Sequence, residues 1–134
     1  MIVVDTNIIG YLYLTAERSS QAEQALLKDP LWSAPLLWRS EFRNVLALYM
    51  RKKLLRLADA QQIMAEAMLL MQGREYEVPS HQVLSLVDRS GCSAYDCEFV
   101  ALAEDLGIQL VTCDKQIINQ FSGIAIALEE YIAE

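Results

Sequence analysis

Two short apolar runs, Ile2-Val3-Val4 and Leu110-Val111-Thr112-Cys113, each stop at an aspartate, Asp5 and Asp114. Each reads as a buried strand, and each is followed by a segment of helical character. The same alternation runs along the chain. Strands are expected at 2–5, 31–34, 76–78, 108–113 and 124–127. Helices are expected at 6–14, 19–28, 35–53, 58–72, 80–89, 94–106, 115–121 and 128–133. Asp29-Pro30 breaks the second helix, Pro35 suits the opening of the third, and Gly73 and Gly107 close later ones. Strands separated by helices predict an α/β fold with a mostly parallel central sheet of four to five strands and helices on both faces. Ligands in such sheets bind outside the carboxyl ends of the strands.

A chain of 134 residues with 54% hydrophobic content suffices for one domain, residues 1–134, with its own core. No apolar run reaches the roughly 18 residues of a membrane span, and the first run ends at Asp5 without a basic n-region. A soluble cytoplasmic protein with no membrane partner is the expectation. Cys92, Cys97 and Cys113 contain no C-x-x-C pair and read as reduced packing thiols. The net charge of -7 excludes a protein that coats nucleic acid nonspecifically, and discounting four carboxylates leaves the chain acidic. A nucleic-acid substrate therefore has to be met by local basic residues and a bound cation.

Four acids stand out: Asp5, Glu41, Asp96 and Asp114. Carboxylates converging on one sheet edge raise each other's pKa unless a divalent cation neutralises them. Asp5 and Asp114 also suit plain N-caps of the helices that follow them. At 100° per residue Leu37, Val45 and Leu48 fall within about 40° of Glu41, which would set this carboxylate inside an apolar stripe where a lone charge is costly. Arg39 and Arg43 would project from the opposite face, toward solvent or a phosphate backbone. Ser93-Ala94-Tyr95-Asp96 matches a capping box, which would turn Asp96 back on its own backbone. Lys115, and the stretch Arg51-Lys52-Lys53 with Arg56, are candidates for contact with a phosphate backbone or for complementing helix dipoles. His81 reads as a cap or surface residue. Trp32, Trp38, Tyr11 and Tyr13 suit either a core or a partner surface.

Taken together, Val3-Val4-Asp5-Thr6-Asn7, Ser40-Glu41, Ser93-Ala94-Tyr95-Asp96 with Ala101-Leu102-Ala103, and Leu110-Val111-Thr112-Cys113-Asp114 resemble the PIN-domain ribonucleases. Within that family the similarity is to the compact VapC-like toxins of type II toxin-antitoxin pairs, over nearly the whole chain. The resemblance implies a single PIN-like domain and a metal-dependent endoribonuclease acting on single-stranded RNA, with transfer or ribosomal RNA as target. It also implies a cognate antitoxin and a homodimer. Asp5, Glu41, Asp96 and Asp114 would hold Mg2+ or Mn2+ and be the catalytic residues, with Thr6 and Thr112 as polar support. Two other readings stay open on the residues alone. One is a phosphohydrolase forming an aspartyl-phosphate on Asp5, weakened by Asn7 where a second acid is wanted. The other is an interaction module whose acids only cap helices.

Overall fold

The computed structural model describes residues 1–14 and 17–134. Strands β1 (Ile2–Val4), β2 (Trp32–Pro35), β3 (Glu75–Tyr76), β4 (Leu110–Thr112) and β5 (Ala125–Ala127) form one sheet in the order β3-β2-β1-β4-β5. Every neighbouring pair is parallel. All residues of β1, β2 and β4 are buried, which requires cover on both faces. Among the described residues that cover comes from eight helices. They are α1 (Thr6–Tyr13), α2 (Ser19–Lys28), α3 (Leu37–Arg51), α4 (Leu57–Met71), α5 (Ser80–Asp88), α6 (Ala94–Leu106), α7 (Lys115–Gln120) and α8 (Leu128–Ala133). Right-handed crossovers put the connections from β1 through β3 on one face and the return from β3 to β4 on the other. On the return path α6 packs on β1, β2 and β4, while α3 and α4 pack on β2 and α8 packs back on α2. No helix among the described residues is long and apolar enough to cross a membrane.

The expected elements all form, and their ends shift for identifiable reasons. Pro35 closes β2 instead of opening α3. Its neighbours Ala34 and Leu36 donate to Arg74 and Tyr76 of the β3 side, so the missing N–H of Pro35 falls on the side where β1 has already ended. Strand β3 spans two residues and ends at Tyr76, because β2 has by then turned into α3 and leaves Glu77 and Val78 without a partner. Gly107 ends α6 in the left-handed region (φ 66°), where a side chain would be strained.

The core face of α3 differs from the expected one. Trp38, Phe42 and Leu46 are its buried residues, whereas Leu37 and Val45 are only half-buried and Leu48 is 47% exposed. The larger apolar area of Trp38 and Phe42 decides the rotation of the helix. Their rings lie 6.1 Å apart, and Phe42 also meets Tyr13 at 6.5 Å. Glu41 consequently stands one position round from Phe42, at the margin of the buried stripe. Arg39 is likewise not free: its Nε and Nη2 donate to the Glu75 carboxylate at 2.6 Å each, beside the Trp38 indole N–H at 2.7 Å. The pairing fastens α3 to the edge strand. Trp32 and Trp38 are core residues, and Tyr11 and Tyr13 pack half-buried against the core.

Truncation of the ring that sets this rotation, Phe42→Ala, is expected to lower the free energy of unfolding by about 3–5 kcal/mol, read by urea denaturation. A loss below about 1 kcal/mol would show that Phe42 does not hold α3 in place.

Candidate functional site

Strand order reverses between β1 and β4: the chain moves from β1 toward β2 and β3, and returns to place β4 on the other side of β1. Loops leaving the carboxyl ends of two such strands diverge and open a crevice. Asp5 follows β1 and Asp114 follows β4 within two residues, and the Asp5 N–H still donates to Val111 O at 3.1 Å across the gap. The crevice is thus floored by backbone pairing and rimmed by carboxylates.

Two buried threonines lace the acids together. The Thr6 hydroxyl donates to Glu41 Oε1 at 2.7 Å, while the Thr6 N–H donates to Asp5 Oδ1 at 2.8 Å. The Thr112 hydroxyl donates to Asp5 Oδ2 at 2.8 Å and accepts from the Asp114 N–H at 3.0 Å. A continuous chain runs Glu41–Thr6–Asp5–Thr112–Asp114. The capping readings hold as well: Asp5 caps α1, and Asp114 Oδ1 caps α7 by accepting from Gln116 N and Ile117 N. At α6 the cap is Ser93, whose Oγ accepts from the Asp96 N–H at 3.1 Å.

Electrostatically these groups form one set. Burial pushes the Asp5 carboxyl up to about 6, against its hydrogen bonds from Thr112 and Thr6, and the charges on Glu41 and Asp96 add to the rise. Glu41 is raised by burial and by Asp96, in opposition to the Thr6 hydroxyl. Asp96 is raised by burial and then by Asp114, in opposition to its hydrogen bonding with the Ser93 side chain and backbone, the reciprocal half of the expected capping box. A fifth acid, Glu98, is also raised, by burial and by Glu41. Residue-type reasoning passed over Glu98, although a carboxylate interrupting the apolar stretch from Cys97 to Ala103 was a visible signal.

The all-oxygen donor set and the unrelieved repulsion suit a hard divalent cation. Among the described residues, however, no three His, Cys, Asp or Glu side chains stand together as a group ready to hold a metal. The carboxylates sense each other's charge while their oxygens serve hydroxyl and amide donors. The thiols lie outside this set. Cys92 and Cys97 are buried, and Cys113 accepts from Arg18 Nη1 at 3.1 Å; all three are free. Lys115 is exposed beside Asp114 and His81 is exposed on α5. Arg51, Lys52 and Lys53 are exposed at the far end of α3, about 15 Å along the helix from Glu41, and Arg56 pairs with Asp59 at the start of α4.

The PIN domain family model matches residues 2–122. Ribonuclease VapC3 of Pyrobaculum aerophilum is 31% identical over 126 residues, which is 92% of this chain and 96% of that protein. The chain belongs to the PIN-domain family. Its fold is similar to that of FitAcB from Neisseria gonorrhoeae, with a TM-score of 0.76 at 15% identity over 96% of this chain and 99% of that one. A toxin-antitoxin complex from Klebsiella pneumoniae contains a similar chain, with a TM-score of 0.70 at 18% identity over 96% of this chain and 98% of that one.

A carboxyl that titrates near 6 in the fold and near its ordinary 3.8 when unfolded favours the folded state only while protonated. That contribution is complete below about pH 4 and disappears as the pH rises through 6. Asp5→Asn, neutral throughout, is therefore expected to be more stable than the parent at pH 8 in metal-free buffer, by up to about 3 kcal/mol. Thermal melts of the two proteins should converge toward pH 4. A gap that does not change with pH would refute the assignment.

Proposed function

We propose that this chain is a divalent-metal-dependent endoribonuclease that hydrolyses RNA phosphodiester bonds in the crevice between β1 and β4, and that it is the toxin of a toxin-antitoxin pair. The observation that carries the reading is the hydrogen-bonded chain Glu41–Thr6–Asp5–Thr112–Asp114 at the sheet's switch point, with the carboxyls of Asp5, Glu41 and Asp96 raised by burial and by neighbouring acids. Identity to a protein named a ribonuclease supports the activity, and likeness to a chain of a toxin-antitoxin complex agrees with the toxin role. In this reading the four carboxylates hold Mg2+ or Mn2+, which lowers the pKa of water and offsets charge on the phosphate. Thr6 and Thr112 orient Glu41 and Asp5 from behind, and the exposed Lys115 meets the RNA backbone. Single-stranded transfer or ribosomal RNA is the substrate class, an antitoxin protein covers the site between episodes of activity, and the toxin acts as a homodimer. A phosphoenzyme on Asp5 is disfavoured, because position 7, where such enzymes carry a second acid, is an exposed Asn.

Cleavage of labelled single-stranded RNA with Mg2+ or Mn2+ is expected to fall more than about 100-fold in Asp5→Asn, Glu41→Gln, Asp96→Asn and Asp114→Asn. Thr112→Val should lose about 10–100-fold, the range for a residue that orients a ligand. Chelation of the metal should abolish cutting, and expression without an antitoxin should arrest growth. Undiminished cleavage by the four carboxylate variants would end the proposal.

A further inference from the structure

A cavity of about 340 Å3 opens between the start of α5 and the start of α6. Val78, Ser80, Val83 and Leu84 line one side, and Ala94 and Glu98 line the other. Ala94 and Glu98 lie on the first two turns of α6, which also carry Asp96, and Glu98 is within Coulombic reach of Glu41, so the cavity adjoins the acidic crevice. Its volume lies at the lower end of the range for small-ligand sites, enough for one planar group. Among the described residues no cationic side chain lines it, and its carboxylate repels phosphate. The occupant has to be uncharged or cationic, flat enough for apolar walls on two helices, and able to donate hydrogen bonds to an acceptor.

An unpaired RNA base meets these conditions, because proteins read splayed bases by apolar contact on the ring faces and hydrogen bonds on the Watson–Crick edge. A carboxylate offers two acceptor oxygens and no donor. Of the four bases only guanine presents two adjacent N–H donors on that edge, N1–H and the N2 amino group, which match both oxygens at once. Resting on the ribonuclease reading for its substrate, we propose that the cavity is a guanine subsite in which Glu98 selects the base next to the scissile phosphate.

Binding and cutting test this separately. Fluorescein-labelled single-stranded hexanucleotides carrying one guanosine, or inosine in its place, are titrated against the non-cutting D5N chain. Inosine lacks the N2 amino group, and the guanosine strand is expected to bind about tenfold more tightly, a difference of about 1.4 kcal/mol. Adding E98Q or E98A to D5N should make the two strands bind alike, with thermal melts checking that each variant folds. In cleavage with Mg2+ or Mn2+, the parent should prefer guanosine beside the cut and E98Q should lose that preference. A guanosine preference in binding with no cutting by the parent would sink the ribonuclease reading and leave the subsite standing. Cutting with equal binding of both strands would do the reverse. Equal RNA binding together with Glu98-dependent binding of an arginine-bearing peptide would assign the cavity to a partner's guanidinium and overturn the proposal.

Discussion

Like charges brought to the mouth of a parallel sheet are the constraint around which the rest of this molecule is arranged. Asp5 and Asp114 follow adjacent parallel strands, so their backbones cannot move apart without breaking the β1–β4 ladder. Thr6 and Thr112 make the arrangement tolerable. Each buried hydroxyl donates to one carboxylate, the Thr6 N–H donates to Asp5 as well, and the Thr112 hydroxyl accepts from the Asp114 N–H. Buried hydroxyls left without partners would cost free energy, so acids and threonines depend on each other.

The remaining structure keeps the acids near without collapsing them. Trp38 and Phe42 fix the rotation of α3, and Glu41 takes its place at the edge of the buried stripe as a result. Arg39, bound to Glu75, ties that helix to the outer strand. On the other face α6 lies across β1, β2 and β4, and Ser93 holds its first turn, so Asp96 and Glu98 start from a fixed helix end at the rim. Burial is the largest cause of every raised carboxyl in the set, with neighbouring charge adding to it. Repulsion left standing in the fold is free energy that a cation can recover on binding.

Capping and charge coupling occur at the same carboxylates. Asp5 and Asp114 cap helices as any aspartate at those positions would, yet capping by Asp114 runs to a single carboxylate oxygen, and at α6 the cap is the serine. The interaction-module alternative described real hydrogen bonds but not the charge coupling of Asp5, Glu41 and Asp96, because capping is local and Coulombic coupling is not.

The alternation of strands and helices and the order of the elements were legible in the residues, because hydrophobic period and cap chemistry act over a few positions. Which face of α3 is buried was not legible. Leu37, Val45 and Leu48 formed as plausible a stripe as Trp38, Phe42 and Leu46, and only packing against Tyr13 and the sheet separates them. Arg39 lost its apparent freedom to Glu75, a residue 36 positions away. Glu98 entered the acidic set through its approach to Glu41, which no spacing within α6 encodes. What the chain determined by itself was each local element and the chemistry it carries. Tertiary structure alone decided which side chains share one field, because charge and packing act through space between residues far apart in sequence.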